Sequence, residues 1–127
     1  MFMIRVLLVD DNPVFREAFK QNLCERFPSM VVEEAGGGDE ALQMIKETPP
    51  DLIFTDIRMP GMNGLQLTRK IKGDKPNTPI AILTAYDLLE YREAALQHGA
   101  DRYFVKTSLK WDEVAAFAKS IPIEGEF

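Results

Sequence analysis

Cysteine is almost absent from this chain of 127 residues. Cys24 stands alone, so an internal disulfide is excluded, a reducing compartment is compatible, and its expected role is that of a small buried hydrophobe. Positive charge is not in excess either. The 15 Lys and Arg are outnumbered by 20 Asp and Glu, a formal charge of -5, with no dense basic cluster. Direct nucleic-acid binding is therefore not expected, because such surfaces need basic groups to displace counterions from phosphates. Long apolar runs are missing too: Val6 to Val9 and Ile80 to Leu83 are typical in length, far short of the ~18 residues of a membrane span. Met1 to Arg5 lead straight into an apolar stretch with no charged n-region, long h-region or cleavage site, so a cytoplasmic location away from the membrane is expected.

What is there reads as one globular domain over residues 1–127, since 46% hydrophobic and 28% charged residues match soluble folded proteins. Short apolar runs alternate with segments of helical period, the pattern of a βαβ chain with a parallel sheet. Strands are predicted at Arg5 to Val9, Val31 to Glu34, Leu52 to Thr55, Ile80 to Leu83 and Tyr103 to Val105, with helices starting near Pro13, Asp39, Gly64, Leu88 and Leu109. Asn12-Pro13 is a strong helix start, Asn12 capping and Pro13 sitting where its missing N–H costs nothing. His98-Gly99 is a strong stop, and the two Glu of "MVVEEA" put the second strand near an edge. The right-handed crossover rule makes a doubly wound α/β sheet of order 2-1-3-4-5 the simplest topology.

Ligands of such sheets bind outside the carboxyl ends of the strands, so those ends are read together. Strand 1 ends in Asp10-Asp11, strand 3 in Asp56, strand 4 in Thr84 and strand 5 in Lys106. Three carboxylates in one crevice repel one another unless a cation sits among them. Oxygen ligands with no His or Cys nearby favour Mg²⁺ or Mn²⁺ over zinc. A metal, an ammonium and a hydroxyl around one further carboxylate suit phosphoryl transfer, with Asp56 as nucleophile or acceptor.

The stretches "VLLVDDNP", "DLIFTDIRMPGMNG", "IAILTA" and "GADRYFVK", in this order over nearly the whole chain, resemble the receiver domain of two-component response regulators. The resemblance implies a flavodoxin-like fold with five strands and five helices, in which Asp56 accepts a phosphoryl group from a sensor histidine kinase or phosphotransfer protein. It implies that Asp11 and Asp56 bind Mg²⁺ directly with the backbone carbonyl of Arg58, and that Asp10 acts through water. Thr84 would hydrogen-bond the phosphoryl group, Lys106 would pair with it, and Tyr103 would be the aromatic that turns inward on activation. Arg58 and Tyr86, each two residues past an active-site residue, would flank the path of the hydrolytic water. The chain would act on itself, with no separate substrate turnover. Two departures stand out: Thr107 replaces the Pro that many members carry after the lysine, and "AGGGDEAL" is unusually rich in glycine.

Other readings compete. Gly36, Gly38 and Ala41 spell a dinucleotide-binding pattern, but Asp39 and Glu40 would occupy the helix N-terminus where a pyrophosphate sits. An aspartate-nucleophile phosphatase would carry D-x-D on one strand end, whereas Asp10 and Asp11 are adjacent. A phosphorylation-independent interaction module is disfavoured because the five key residues are all present. Phe15 and Phe19, at helical spacing, read as core, and His98 as a helix-end residue. If the surface of helix 4, strand 5 and helix 5 is remodelled on activation, its charges of both signs, Glu90, Arg92, Glu93, Asp101, Arg102, Lys110 and Asp112, suit a two-fold homodimer.

Overall fold

The computed structural model describes residues 3–120. The expectation of one domain over 1–127 therefore reaches past the described residues at both ends. Five strands, β1 (Ile4–Val9), β2 (Met30–Ala35), β3 (Leu52–Thr55), β4 (Ile80–Thr84) and β5 (Arg102–Val105), form one parallel sheet of order β2-β1-β3-β4-β5. Helices α1 (Pro13–Arg26), α2 (Gly38–Glu47), α3 (Gly64–Asp74), α4 (Leu89–Gln97) and α5 (Trp111–Lys119) make the crossovers. This is the flavodoxin-like architecture.

The side-chain period of two in a strand sends alternate residues to opposite faces, and both faces are covered. Val6 and Leu8 of β1 join Phe54, Phe19, Leu23, Val114 and Phe117 beneath α1 and α5. Leu7 and Val9 join Ile53, Ala41, Ile45, Leu67 and Ile71 beneath α2 and α3. Ile57, Ile82, Ala95 and Ala100 form a smaller group under α4. The core centres on Phe54, which is fully buried among Phe19, Phe104 and Phe117. Burial on that scale contributes about 3 kcal/mol for a phenylalanine.

Helix ends follow the local chemistry. Asn12 Oδ1 accepts from the N–H groups of Val14 and Phe15, and Pro13 opens α1. Asn63 and Gln66 form a reciprocal capping box at α3. Gly99 takes φ +99°, so the stop after α4 uses the left-handed region. β2 lies at the edge, as its two Glu require.

Two expectations need correction. Cys24 is half-buried rather than buried, because it sits on the flank of α1 beside a groove shared with Lys20 and Glu34. The last helix begins at Trp111, not near Leu109: residues Lys106–Ser108 wind into a 3-10 turn and Leu109 is extended before the chain can enter α5. Among the described residues, no helix is long and apolar enough to cross a membrane.

Candidate functional site

The register of the sheet builds the site. Val9 pairs with Ala35 on one side and Thr55 on the other, so the residues that follow β1 and β3 emerge side by side. Asp56 N–H donates to the Val9 carbonyl at 2.9 Å, which locks the end of β3 to β1. β5 joins at the far side of β4, with Thr84 paired to Val105, and Lys106 follows at once.

One carboxylate oxygen from each of Asp10, Asp11 and Asp56 lies within 4.8 Å of the others. Asp10 and Asp56 are buried, at 1% and 8% exposure, while Asp11 is exposed. Lys106 reaches across the sheet edge. Its Nζ donates to Asp10 Oδ2 at 2.6 Å and to Asp56 Oδ2 at 3.1 Å. The other oxygens are also used: Asn12 N–H donates to Asp10 Oδ1 at 2.9 Å and Ile57 N–H to Asp56 Oδ1 at 2.7 Å. The cluster thus sets one ammonium against three carboxylates.

Charge balance follows from this geometry. Burial raises the Asp10 carboxyl above its ordinary range, against the opposing hydrogen bond from Lys106. For Lys106, burial works against the charged form, but the hydrogen bond to Asp10 and the charge of Asp56 outweigh it and raise the group. Both members of the pair move upward, which is unusual for an ion pair. The acid rises because burial penalises its charged form, and the amine rises because two carboxylates face one ammonium. Hard oxygen donors at this spacing fit Mg²⁺ or Mn²⁺, and the exposed Asp11 leaves one side open to solvent for waters the ion would keep.

Thr84 is fully buried at the end of β4, and its Oγ1 accepts from Tyr86 N–H at 3.4 Å. Tyr103, half-buried on β5, donates its hydroxyl to the backbone carbonyl of Tyr86 at 2.7 Å. Arg92 of α4 lies over the Tyr103 ring at 4.7 Å and pairs with Asp87. Arg58 is exposed, with its guanidinium over the Tyr86 ring at 4.6 Å and a hydrogen bond to the Tyr86 hydroxyl at 3.1 Å. Tyr91 stands edge-on to Tyr86. A cleft of about 580 Å³ opens beside Asp11, Arg58, Met59 and Tyr91.

Not every expected residue keeps its expected surroundings. Asp101 is tied to Lys72 of α3 at 2.8 Å and to the Ile80 N–H, so it is engaged within the chain rather than free on the face of α4, β5 and α5. The dinucleotide pattern is occupied internally, Glu40 accepting from the Gly36 N–H at 2.6 Å.

Three residues were missed. Gly64 opens α3 against the backbone of Asp56: a Cβ there would fall 1.8 Å from the Asp56 carbonyl oxygen, so only glycine permits this approach. The "MNG" sequence hinted at a turn, not at this contact. Arg16 donates to the Asp10 carbonyl and is held by Glu34 of β2. Phe15 lies beneath the Lys106 ammonium, 4.1 Å from ring centroid to Nζ, and nothing in its helical spacing signalled that.

Residues 6–117 match the family model described as Response regulator receiver domain. Among curated relatives, the transcriptional regulatory protein YxjL of Bacillus subtilis is 38% identical over 106 residues, covering 84% of this chain and 49% of that protein. Response regulator MprA of Mycobacterium tuberculosis is 40% identical over 103 residues, covering 81% of this chain and 44% of that protein. The chain therefore spans about half the length of the curated relatives it matches. Among solved structures, response regulator protein TrrA from Thermotoga maritima, in complex with Mg²⁺-BeF, is 38% identical with TM-score 0.81, covering 92% of this chain and 97% of that one.

Proposed function

The chain belongs to the response regulator receiver domain family of two-component systems, and from that premise we propose that Asp56 is its phosphoryl acceptor. The observation that carries this reading is the carboxylate cluster at the sheet edge, with Asp56 held by both Lys106 and the Ile57 N–H. In the transfer, an Asp56 carboxylate oxygen attacks the phosphorus of a phosphohistidine on a sensor kinase or phosphotransfer protein. A P–O bond forms as the P–N bond breaks, and the imidazole leaves with the electron pair. Hydrolysis of the aspartyl phosphate by water returns the free carboxylate and inorganic phosphate. The chain acts on itself, with no separate substrate turnover.

Asp11 and Asp56 with the Arg58 backbone carbonyl would hold Mg²⁺, and Asp10 would act through water. When bound, the ion supplies charge neutralisation for the incoming anion. Lys106 pairs with the phosphoryl oxygens and Thr84 donates its hydroxyl to them. Each such charge-assisted bond supplies about 1.5–3 kcal/mol. Together they approach the ~5.5 kcal/mol that moves a two-state equilibrium from 1:99 to 99:1. The responding element is Tyr103, whose hydroxyl is bonded to the segment that follows Thr84.

The output passes to a further domain or to a partner in the cytoplasm. A groove of about 640 Å³ on the face of α4, β5 and α5, lined by Arg92, Tyr103, Lys110 and Glu113, supports homodimerisation there. The acceptor assignment is tested by incubating the protein with Mg²⁺ and acetyl phosphate and measuring intact mass. One phosphate is expected on the wild type and none on Asp56→Asn or after chelation; labelling that persists in the variant refutes the assignment.

A further inference from the structure

Lys106 is held by more than its two carboxylates. Its Nζ stands 4.1 Å from the centroid of the Phe15 ring, inside the ~6 Å range of a cation–π contact, and its side chain is only 14% exposed. Desolvation of that degree places the contact in the stronger part of the cation–π range.

The ring is itself fixed at both ends. Its backbone is set by Asn12, whose Oδ1 accepts the Phe15 N–H and whose own N–H donates to Asp10. The ring also stacks on Phe19, with centroids 5.6 Å apart and planes 18° from parallel. Phe19 is buried and stacks in turn on Trp111 of α5 at 5.3 Å. The Phe15 ring thus extends from the core to the site.

We propose that Phe15 is a positioning residue whose π face holds the Lys106 ammonium between Asp10 and Asp56. The need for it lies in the asymmetry of the ion pairs. Asp10 is the nearer partner at 2.6 Å and Asp56 the farther at 3.1 Å, so carboxylates alone draw the ammonium toward Asp10. The neutral ring holds the cation from the α1 side without competing for its hydrogen bonds. It also does not change when charge arrives at Asp56. An aliphatic side chain of similar volume would fill the space but leave the ammonium free to follow Asp10.

This inference rests on Asp56 being the acceptor. The test replaces Phe15 with 4-fluoro-, 3,5-difluoro- and 3,4,5-trifluorophenylalanine, which drain the π face while nearly preserving shape. Initial rates of labelling by acetyl phosphate at saturating Mg²⁺ are expected to fall stepwise, about three- to tenfold in all, with Phe15→Tyr near wild type. Thermal stability should not fall in parallel, because fluorinated rings still stack on Phe19. A second readout uses the metal-free protein: the Lys106 side-chain protons should be shifted upfield by the ring current in wild type and Phe15→Tyr, and not in Phe15→Leu. A flat rate across the fluorinated series, or the absence of the upfield shift, overturns the proposal. If the wild type is not labelled, the acceptor reading has failed instead, and the ring-current shift still decides the contact.

Discussion

Lys106 and Arg58 each lie over an aromatic ring beside Asp56, at 4.1 Å from the Phe15 centroid and 4.6 Å from that of Tyr86. The first belongs to a buried cage: its ammonium bonds two carboxylates, one of them 1% exposed, and its ring is anchored in the core through Phe19. The second is a surface arrangement, with Arg58 exposed and Tyr86 37% exposed. Similar geometry therefore carries different weight. Water screens the Arg58 pair and competes for its hydrogen bonds, whereas the Lys106 cage is largely shielded from it, its ammonium side chain being 14% exposed. The buried side fixes where charge sits, and we propose that the surface side governs access.

The largest effect should come from breaking the buried side. Lys106→Met removes the only cation bonded to the carboxylates of Asp10 and Asp56 among the described residues, leaving buried acids uncompensated. Urea denaturation of the metal-free variant should show a loss of about 3 kcal/mol, and added Mg²⁺ should recover part of it. A loss no greater than that of a surface lysine would show that the cage is solvated in practice.

Breaking the surface side should change lifetime rather than stability. Arg58→Ala with Tyr86→Ala opens the approach to Asp56, and decay of the phosphorylated protein should quicken several-fold. Unfolding free energy should move by less than about 0.5 kcal/mol. An unchanged decay rate would mean that these side chains do not shield the site.

The smallest effect sharpens the comparison at Tyr103, which lies between the two regimes. Burial, with Arg92 opposing, raises its phenol to about 12. A raised folded value means stability that is complete below the unfolded value of ~10 and lost as pH climbs toward 12. Between those limits the wild type should lose stability relative to Tyr103→Phe, by less than about 1 kcal/mol given the half-exposed ring. Parallel pH profiles for the two proteins would place the hydroxyl in bulk solvent.

The alternation of apolar strands and periodic helices determined the sheet order, because a right-handed crossover leaves few ways to bury five apolar runs on both faces. The strand ends then brought Asp10, Asp11, Asp56, Thr84 and Lys106 to one edge, since polar residues that end an apolar strand mark where the chain leaves the sheet. Asn12-Pro13 likewise announced a helix start through chemistry local to two residues. Tertiary structure decided everything that depends on how far a side chain reaches. Lys106 finds Asp10 across 96 positions of sequence, and only the register of β1, β3, β4 and β5 sets that distance. Gly64 is required by the Asp56 carbonyl, not by its own helix. Phe15 and Phe19 share a spacing that reads as core for both, yet only Phe19 is buried and Phe15 is half-buried. Phe19 is sealed beneath Phe54 and Trp111, while Phe15, one turn nearer the site, turns a ring face to a charge.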